Sequence, residues 1–468
     1  MLKKLLLKFS ILIMVYILFS VLFSLLQNPT VYNNTLGHIS DNYERVGTLK
    51  RYTINKVNKP FIKVTEENAY NWDATYYLTI RDELYAGIDT HYSDRYAFYP
   101  FFPMIWKISG IRSHHIILVN YLLFGLGIIL LSQILMKDKR SDMLFFILAL
   151  IIPSAAVFYL PYAESLFVLT LAGALFGLFK RKYWVYFICM ICFSMTRPAV
   201  MVLMAAFIGV DIIYLFRHRS FRHFMKQSIL TIAPVILGWF IVTVIQYYYS
   251  GSWTSYYDTW ELWPKESGLF NRITDWSTEG FGMTSFAIFF LALPAVIYGI
   301  VFALKYMLKR TERVKVSLFH GDETYIKGYI FNVSMLYMAA MVGYFVFTSG
   351  NVLNGFFRYT MAVPFFYIIL FLLPEKLEKI HFGYKIGAML LSVAAVAGFL
   401  LNVHYAGDLW RFEYFGLYLM LIFAPLVLFE QYCSVKTKYI GLLLYIIPAI
   451  IWHTYLFNMY LSNAWIYT

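Results

Sequence analysis

HIILVNYLLFGLGIILLSQILM, residues 115–136, runs its whole length without Asp, Glu, Lys or Arg. A helix crossing a bilayer needs about 20 such residues, so the stretch predicts a membrane span. The same pattern, bounded by charges or turn residues, recurs near 5–26, 143–160, 164–179, 183–196, 198–216, 228–249, 283–306, 328–348, 359–374, 385–404, 413–431 and 438–460. A shorter run at 99–111 reads as a re-entrant segment. Together these predict an all-α polytopic membrane protein of about 13 spanning helices, forming one membrane-embedded domain over 1–468.

Composition agrees. Of 468 residues, 60% are apolar, 20% aromatic and only 14% charged, whereas a soluble domain carries roughly a quarter charged residues. The net charge of +13 would suit a nucleic-acid binder only if it were displayed on polar surface, of which this composition leaves little. The basic residues are instead a topology signal. With Lys3, Lys4 and Lys8 inside, alternate loops hold Lys137/Lys139/Arg140, Lys180/Arg181/Lys182, Arg217/Arg219/Arg222/Lys226, Lys305/Lys309/Arg310/Arg313/Lys315, Lys376/Lys379 and Lys436/Lys438. With Lys327 and Lys385 added, that side takes 24 of the 39 basic residues and 9 of the 26 acidic ones. The positive-inside rule then puts the N-terminus in the cytoplasm, and nucleic acid drops out as a partner. The first apolar run is too long for a cleaved signal peptide and no small-residue site follows it, so it reads as an anchor. Cys189 and Cys192 lie in an apolar run with no His or Cys to complete a metal site, and read as core. No internal repeat suggests an inverted-repeat transporter.

Two polar segments face the outside, 27–97 and 250–282. Within the first, Glu66 to Tyr85 reads as an amphipathic helix, with Trp72, Tyr76, Thr79 and Glu83 on one face and Asp73, Tyr77 and Ile80 on another. The second interleaves Trp253, Trp260, Trp263 and Trp276 with Asp258, Glu261, Glu266 and Asp275. Such a pattern holds a sugar ring between aromatic faces and carboxylate acceptors, or forms an interfacial belt.

Few residues carry chemistry. Asp73, soon after a span, is placed to act as a general base on an acceptor hydroxyl, or is an exposed surface acid. Glu164 and Arg197 interrupt apolar runs, where an unpaired charge costs about 3 kcal/mol on insertion scales. They form a buried ion pair, or Arg197 holds a lipid phosphate through its planar guanidinium. Arg358, at the entry to a late span, is a second phosphate ligand or a headgroup anchor. His91, late in the first outer loop, would assist acceptor binding or neutralise a leaving phosphate; His404, with Asp408 and Arg411, is a weaker site. No grouping has metal-ligand spacing, although metal ligands can be assembled from distant loops, and no glycine-rich phosphate loop is present, so no cofactor is expected and metal dependence stays open. A membrane transferase lacking a nucleotide-binding domain would draw its sugar from a lipid carrier.

Five motifs occur in one order. Trp72-Asp73-Ala74-Thr75-Tyr76-Tyr77-Leu78-Thr79-Ile80 is followed by Ala97-Phe98-Tyr99-Pro100-Phe101-Phe102-Pro103 and by Tyr162-Ala163-Glu164-Ser165-Leu166-Phe167. Thr196-Arg197-Pro198 and Arg358-Tyr359-Thr360-Met361-Ala362-Val363-Pro364 complete the set. It resembles the signature of the PIG-V family, the GPI mannosyltransferase II group and its bacterial relatives, over about residues 70 to 365. Tyr99 stands where that family has Phe, Ala163 where it has Ser, and Thr75-Tyr76 replaces an aromatic-rich stretch.

The resemblance implies the GT-C glycosyltransferase architecture, with a catalytic acidic residue in the first extracytoplasmic loop and a polyprenyl-phosphate sugar as donor. It implies transfer of mannose with inversion and Asp73 as the catalytic residue, and puts Glu164, Arg197 and Arg358 at motif positions to which it assigns no role; with the chemistry above, the lipid phosphate would sit near Arg197 or Arg358. Trp72, His91, Tyr162 and Glu164 would line the substrate site. The acceptor would be a glycan, glycolipid or protein, and the setting a bacterial plasma membrane, or the ER membrane in a eukaryote. The alternatives are a flippase or transporter of polyprenyl-linked sugars and an assembly subunit with degenerate motifs.

Overall fold

The computed structural model describes residues 2–36, 60–87, 93–136, 141–218, 220–259, 262, 287–308, 318–319, 321–348, 356–402 and 412–463. Its regular structure there is helical: α1 (Leu2–Leu26), α2 (Pro29–Asn34), α3 (Asp73–Glu83), α4 (Phe101–Ser109), α5 (Ile116–Leu135), α6 (Asp142–Ile151), α7 (Glu164–Phe179), α8 (Tyr183–Ser194), α9 (Val200–His218) and α10 (Phe221–Ser250). There follow α11 (Ser255–Asp258), α12 (Leu293–Leu308), α13 (Glu323–Thr348), α14 (Phe356–Met361), α15 (Pro364–Leu377), α16 (Phe382–Asn402), α17 (Phe412–Leu428) and α18 (Val435–Leu461).

Six described helices are long and apolar enough to cross a bilayer, which makes the chain a multi-pass membrane protein. The expected count of 13 crossings is not what their lengths give. Several expected spans are apolar helices of 10–17 residues, too short to cross alone. Proline is the reason at the most informative places. The expected span 143–160 is α6 followed by a 3₁₀ segment, Pro153–Tyr159, turned 65° from it. The expected helix 359–374 is broken into α14 and α15 at Ala362–Val363, with Pro364 as the first residue of the second piece. Breaks of this kind survive at membrane depth only where protein satisfies the freed backbone groups. Here His453 Nε2 lies 2.9 Å from Ile152 O, and Ser154 Oγ donates to Met361 O at 3.2 Å.

The helix expected over Glu66–Tyr85 starts later, at Asp73. Thr65 N donates to Asn68 Oδ1 at 2.8 Å and Asn68 Nδ2 to Lys63 O, so a side-chain turn competes with the helix there. Cys189 and Cys192 lie on α8 half-buried rather than in the core.

The core is continuous: α5 packs on α7, α7 on α8, and α8 on α10. The close approaches use glycine. A Cβ on Gly238 of α10 would lie 2.5 Å from Ile191 O and 2.7 Å from Ser194 Cβ of α8. The two ends of the bundle differ. Around one end, Lys8 Nζ donates to Asp142 Oδ1 at 2.7 Å and to Ser132 Oγ at 2.8 Å. Asp211 accepts there from Gln227 Nε2, Ser228 Oγ and Tyr329 OH at 2.6–2.9 Å. The N-termini of α7 and α9 lie at the opposite end and carry the motif residues.

Gly238→Ala should lower the melting temperature of the purified protein, because the added methyl meets backbone and overpacking costs about 1–3 kcal/mol. Gly343→Ala, where a Cβ meets nothing within 4 Å, should not. Equal melting of both variants would contradict the packing described.

Candidate functional site

Asp73 is the first residue of α3, and the chain before it is fixed by the last long helix. Ile62 N donates to Asn458 Oδ1 at 2.9 Å, and Asn71 N to the Tyr460 hydroxyl at 3.0 Å. That hydroxyl donates in turn to Ala69 O at 2.9 Å, while Asn71 Nδ2 donates to Tyr460 O at 2.7 Å. Trp72, between this anchor and the helix, has φ 55° and ψ −128°. A bulky residue at positive φ is an outlier that surrounding structure must hold in place, and such strain gathers at functional sites. Ala74, Tyr77 and Ile80 turn inward from α3. Tyr76 stacks on Phe98 at 4.5 Å and donates its hydroxyl to Asp94 Oδ2 at 2.6 Å. Burial, and then that bond, push the Tyr76 hydroxyl well up, so it stays protonated and remains a donor.

Glu164 is likewise the first residue of its helix, α7, so two carboxylates occupy helix N-termini, where the backbone dipole favours negative charge. The turn before it, Leu160–Tyr162, is fixed by Asn120 of α5, whose Nδ2 donates to Leu160 O and, at 2.9 Å, to Tyr162 O. Arg197 lies in the gap between α8 and α9. The following Pro198 disfavours helical geometry at Arg197, which places the guanidinium at a break rather than along a helix wall. Arg358 lies on the six-residue α14, just before the Val363–Pro364 break.

These four breaks bring four charges together. Arg358 donates from Nη1 to Asp73 Oδ2 at 2.5 Å and from Nε to Glu164 Oε1. Arg197 Nη1 lies 3.0 Å from the same Glu164 oxygen, a charge contact off the hydrogen-bond axis. The order is Asp73, Arg358, Glu164, Arg197, with signs alternating and no net charge. Exposure is 22% at the Asp73 side chain and 11% at Arg358, against 0% at Glu164 and 4% at Arg197. The cluster thus opens at Asp73 and is closed at its far end. Aromatic faces wall it: the Arg358 guanidinium lies 4.4 Å from the Tyr162 ring centre, and that of Arg197 lies 5.0 Å from Tyr359 and 5.8 Å from Phe167. Glu164 Oε2 and Arg197 Nη1 are buried and have no hydrogen-bond partner among the described residues.

Of the residues singled out from sequence, Asp73, Glu164, Arg197 and Arg358 meet directly, Tyr162 lies under Arg358, and Trp72 forms the backbone turn into α3. His91 lies outside the described residues, as do Trp260, Glu261, Trp263, Glu266, Asp275, Trp276, His404, Asp408 and Arg411. Trp253 is described and stacks on Tyr247 at 4.2 Å, half exposed at the end of α10, with no contact to the charge cluster given by that geometry. Sequence reasoning missed Asn120, Asn71, Tyr359 and Tyr460. Asn120, one of two amides in the long apolar run 115–136, was the one of these with a visible signal; Tyr460 is one tyrosine among 40.

No family model matches the chain, and no curated protein matches it. Among solved structures it is similar to that of ArnT from Cupriavidus metallidurans bound to undecaprenyl phosphate, at 12% identity and a TM-score of 0.40, over 86% of this chain and 74% of that one. The chemistry of the site is therefore read from this chain's own residues.

Glu164→Gln should destabilise the protein most among single changes in the cluster, since it leaves the buried Arg197 uncompensated and Arg358 with Asp73 alone, and breaking a buried pair costs about 3–5 kcal/mol. Asp73→Asn, at the open end, should cost much less. Melting curves in detergent check the order, and a Glu164→Gln protein melting like wild type would show that the carboxylate does not hold the cluster.

Proposed function

We propose that the chain is a glycosyltransferase of the GT-C kind, which moves a sugar, mannose in the leading reading, from a polyprenyl-phosphate carrier to an acceptor hydroxyl. One observation supports it most. Residues 285 positions apart, Asp73 and Arg358, meet directly, and Arg358 continues through Glu164 to Arg197 in one cluster whose only accessible carboxylate is Asp73. A carboxylate at the mouth beside a guanidinium is the pairing that this transfer needs.

The reaction balances on these groups. The acceptor oxygen attacks the anomeric carbon, the bond from that carbon to the phosphate oxygen breaks, and the electron pair leaves with the phosphate. The acceptor proton passes to Asp73. One displacement inverts the anomeric centre. The negative charge that Asp73 loses on taking the proton appears on the leaving phosphate, where Arg358 meets it as a fixed donor in a partly buried site that stabilises such charge more than bulk solvent does. Arg197 lies deeper; it holds Glu164, and Glu164 in turn orients Arg358 through Nε. Tyr162 and Tyr359 offer ring faces beside the guanidinium groups, and Trp72 fixes the angle at which Asp73 meets the substrate.

By the distribution of basic residues, this end of the bundle faces away from the cytoplasm and the end carrying Lys8 and Arg181 faces it. The lipid carrier would then be used on the extracytoplasmic face, with its chain among the apolar helices. The acceptor is a hydroxyl of a glycan, glycolipid or protein, and His91 belongs to the same outer segment.

Transfer of radiolabelled mannose from polyprenyl-phosphate mannose to membrane glycans, in vesicles carrying matched amounts of protein, tests the proposal. Asp73→Asn should lower incorporation by about a hundred- to ten-thousandfold, the usual worth of a general base. Full incorporation by a folded Asp73→Asn protein refutes the assignment of the base.

A further inference from the structure

We infer that the phosphate of the lipid carrier and the Asp73 carboxylate compete for Arg358, so that donor binding is what releases the base. The inference rests on the glycosyl-transfer reading above and concerns the regulation of the same site. As the chain stands, Asp73 is bound: Oδ2 accepts a charge-assisted hydrogen bond from Arg358 Nη1. The Oδ2 lone pair that takes this bond is not at the same time open to a hydroxyl. Arg358, for its part, has Nε committed to Glu164 and Nη1 to Asp73. A phosphate that takes Nη1 from the mouth meets an N–H already given to Asp73.

The bond between Asp73 and Arg358 is the one that gives way. It lies at the open end of the cluster, with 22% and 11% of the two side chains exposed, whereas Glu164 at 0% and Arg197 at 4% would leave buried partners stranded. A phosphate oxygen replaces the carboxylate oxygen one for one, and the planar fork suits either anion. The released carboxylate does not drift. Its backbone belongs to α3, whose entry is fixed by Asn71 and Tyr460, so only side-chain rotation separates the paired state from the free one. Alternating charge also accounts for specificity of order: without the phosphate the cluster is neutral, and an acceptor arriving first meets a base still tied to Arg358 through Oδ2.

The test is binding of undecaprenyl phosphate to the full-length protein in phosphatidylcholine nanodiscs, for wild type, Asp73→Ala, Asp73→Asn, Arg358→Gln and the double variant Asp73→Ala/Arg358→Gln. Removal of the competing carboxylate should tighten binding by about tenfold in both Asp73 variants, given the coupling seen for close charge pairs. Arg358→Gln should weaken it, and the double variant should bind like Arg358→Gln, the gain having vanished with the shared partner. Melting curves identify any variant that has lost its fold, and the two Asp73 substitutions stand in for one another. Equal or weaker binding by a folded Asp73 variant, with wild type binding well, overturns the competition and leaves the lipid-phosphate reading in place. Absence of binding by wild type and by both folded Asp73 variants overturns that reading and the competition together.

Discussion

Glu164 keeps a buried negative charge between two guanidinium groups, in a bundle whose surroundings are almost wholly apolar. Without those partners, the carboxylate would lose more by leaving water than any packing could return. Without the carboxylate, Arg197 and Arg358 would repel one another in a medium that screens poorly. The rest of the site follows from this mutual need. Arg358 is held by its Nε edge and presents its Nη1 edge to Asp73, and α3 docks where that edge can be met.

The constraint also explains why the helices nearby are short. A guanidinium in the middle of a regular helix points outward along the wall and carries no freedom of aim. Placed at a break, it is positioned by backbone that has already left helical geometry. Pro161, Pro198 and Pro364 each lie within a few residues of a member of the cluster, and each ends or starts a helix beside it. The backbone groups that these breaks expose are met by side chains from other helices: Asn120 at Leu160 and Tyr162, and Ser154 at Met361. Polar side chains at this end thus serve the geometry of the breaks, while those at the other end, such as the three donors around Asp211, satisfy a carboxylate that has no cation in hydrogen-bond contact among the described residues.

The route from anchor to carboxylate is short and stiff. Asn458 and Tyr460, on α18, grip the segment before α3 at Ile62, Ala69 and Asn71. The turn at Trp72 takes up positive φ and starts a helix whose inner face is Ala74, Tyr77 and Ile80. An acid on a surface loop would sample many positions. Asp73 is instead confined at its backbone, while its partly exposed side chain is held by Arg358, a combination suited to a group that must hold one partner and then another.

Much of this was written in the chain. Apolar runs fixed the helical class and most helix positions, because burial in lipid demands internally bonded backbone and leaves few other solutions. Asp73, Glu164, Arg197 and Arg358 stood out because charge is rare there and costly, so each predicted a partner or a purpose. What sequence could not supply was the pairing. That Arg358 serves Asp73 and Glu164 together depends on helices more than 190 residues apart in the chain meeting at one end of the bundle, and periodicity carries no such distance. Nor could it reveal how many helices cross, since proline shortens segments that hydropathy alone joins. Asn120, Asn71 and Tyr460 were illegible for a related reason: an amide or a phenol becomes a positioning group only when the fold brings it to a particular carbonyl or amide. Single residues declared where energy would be spent, and the tertiary structure decided against which neighbour.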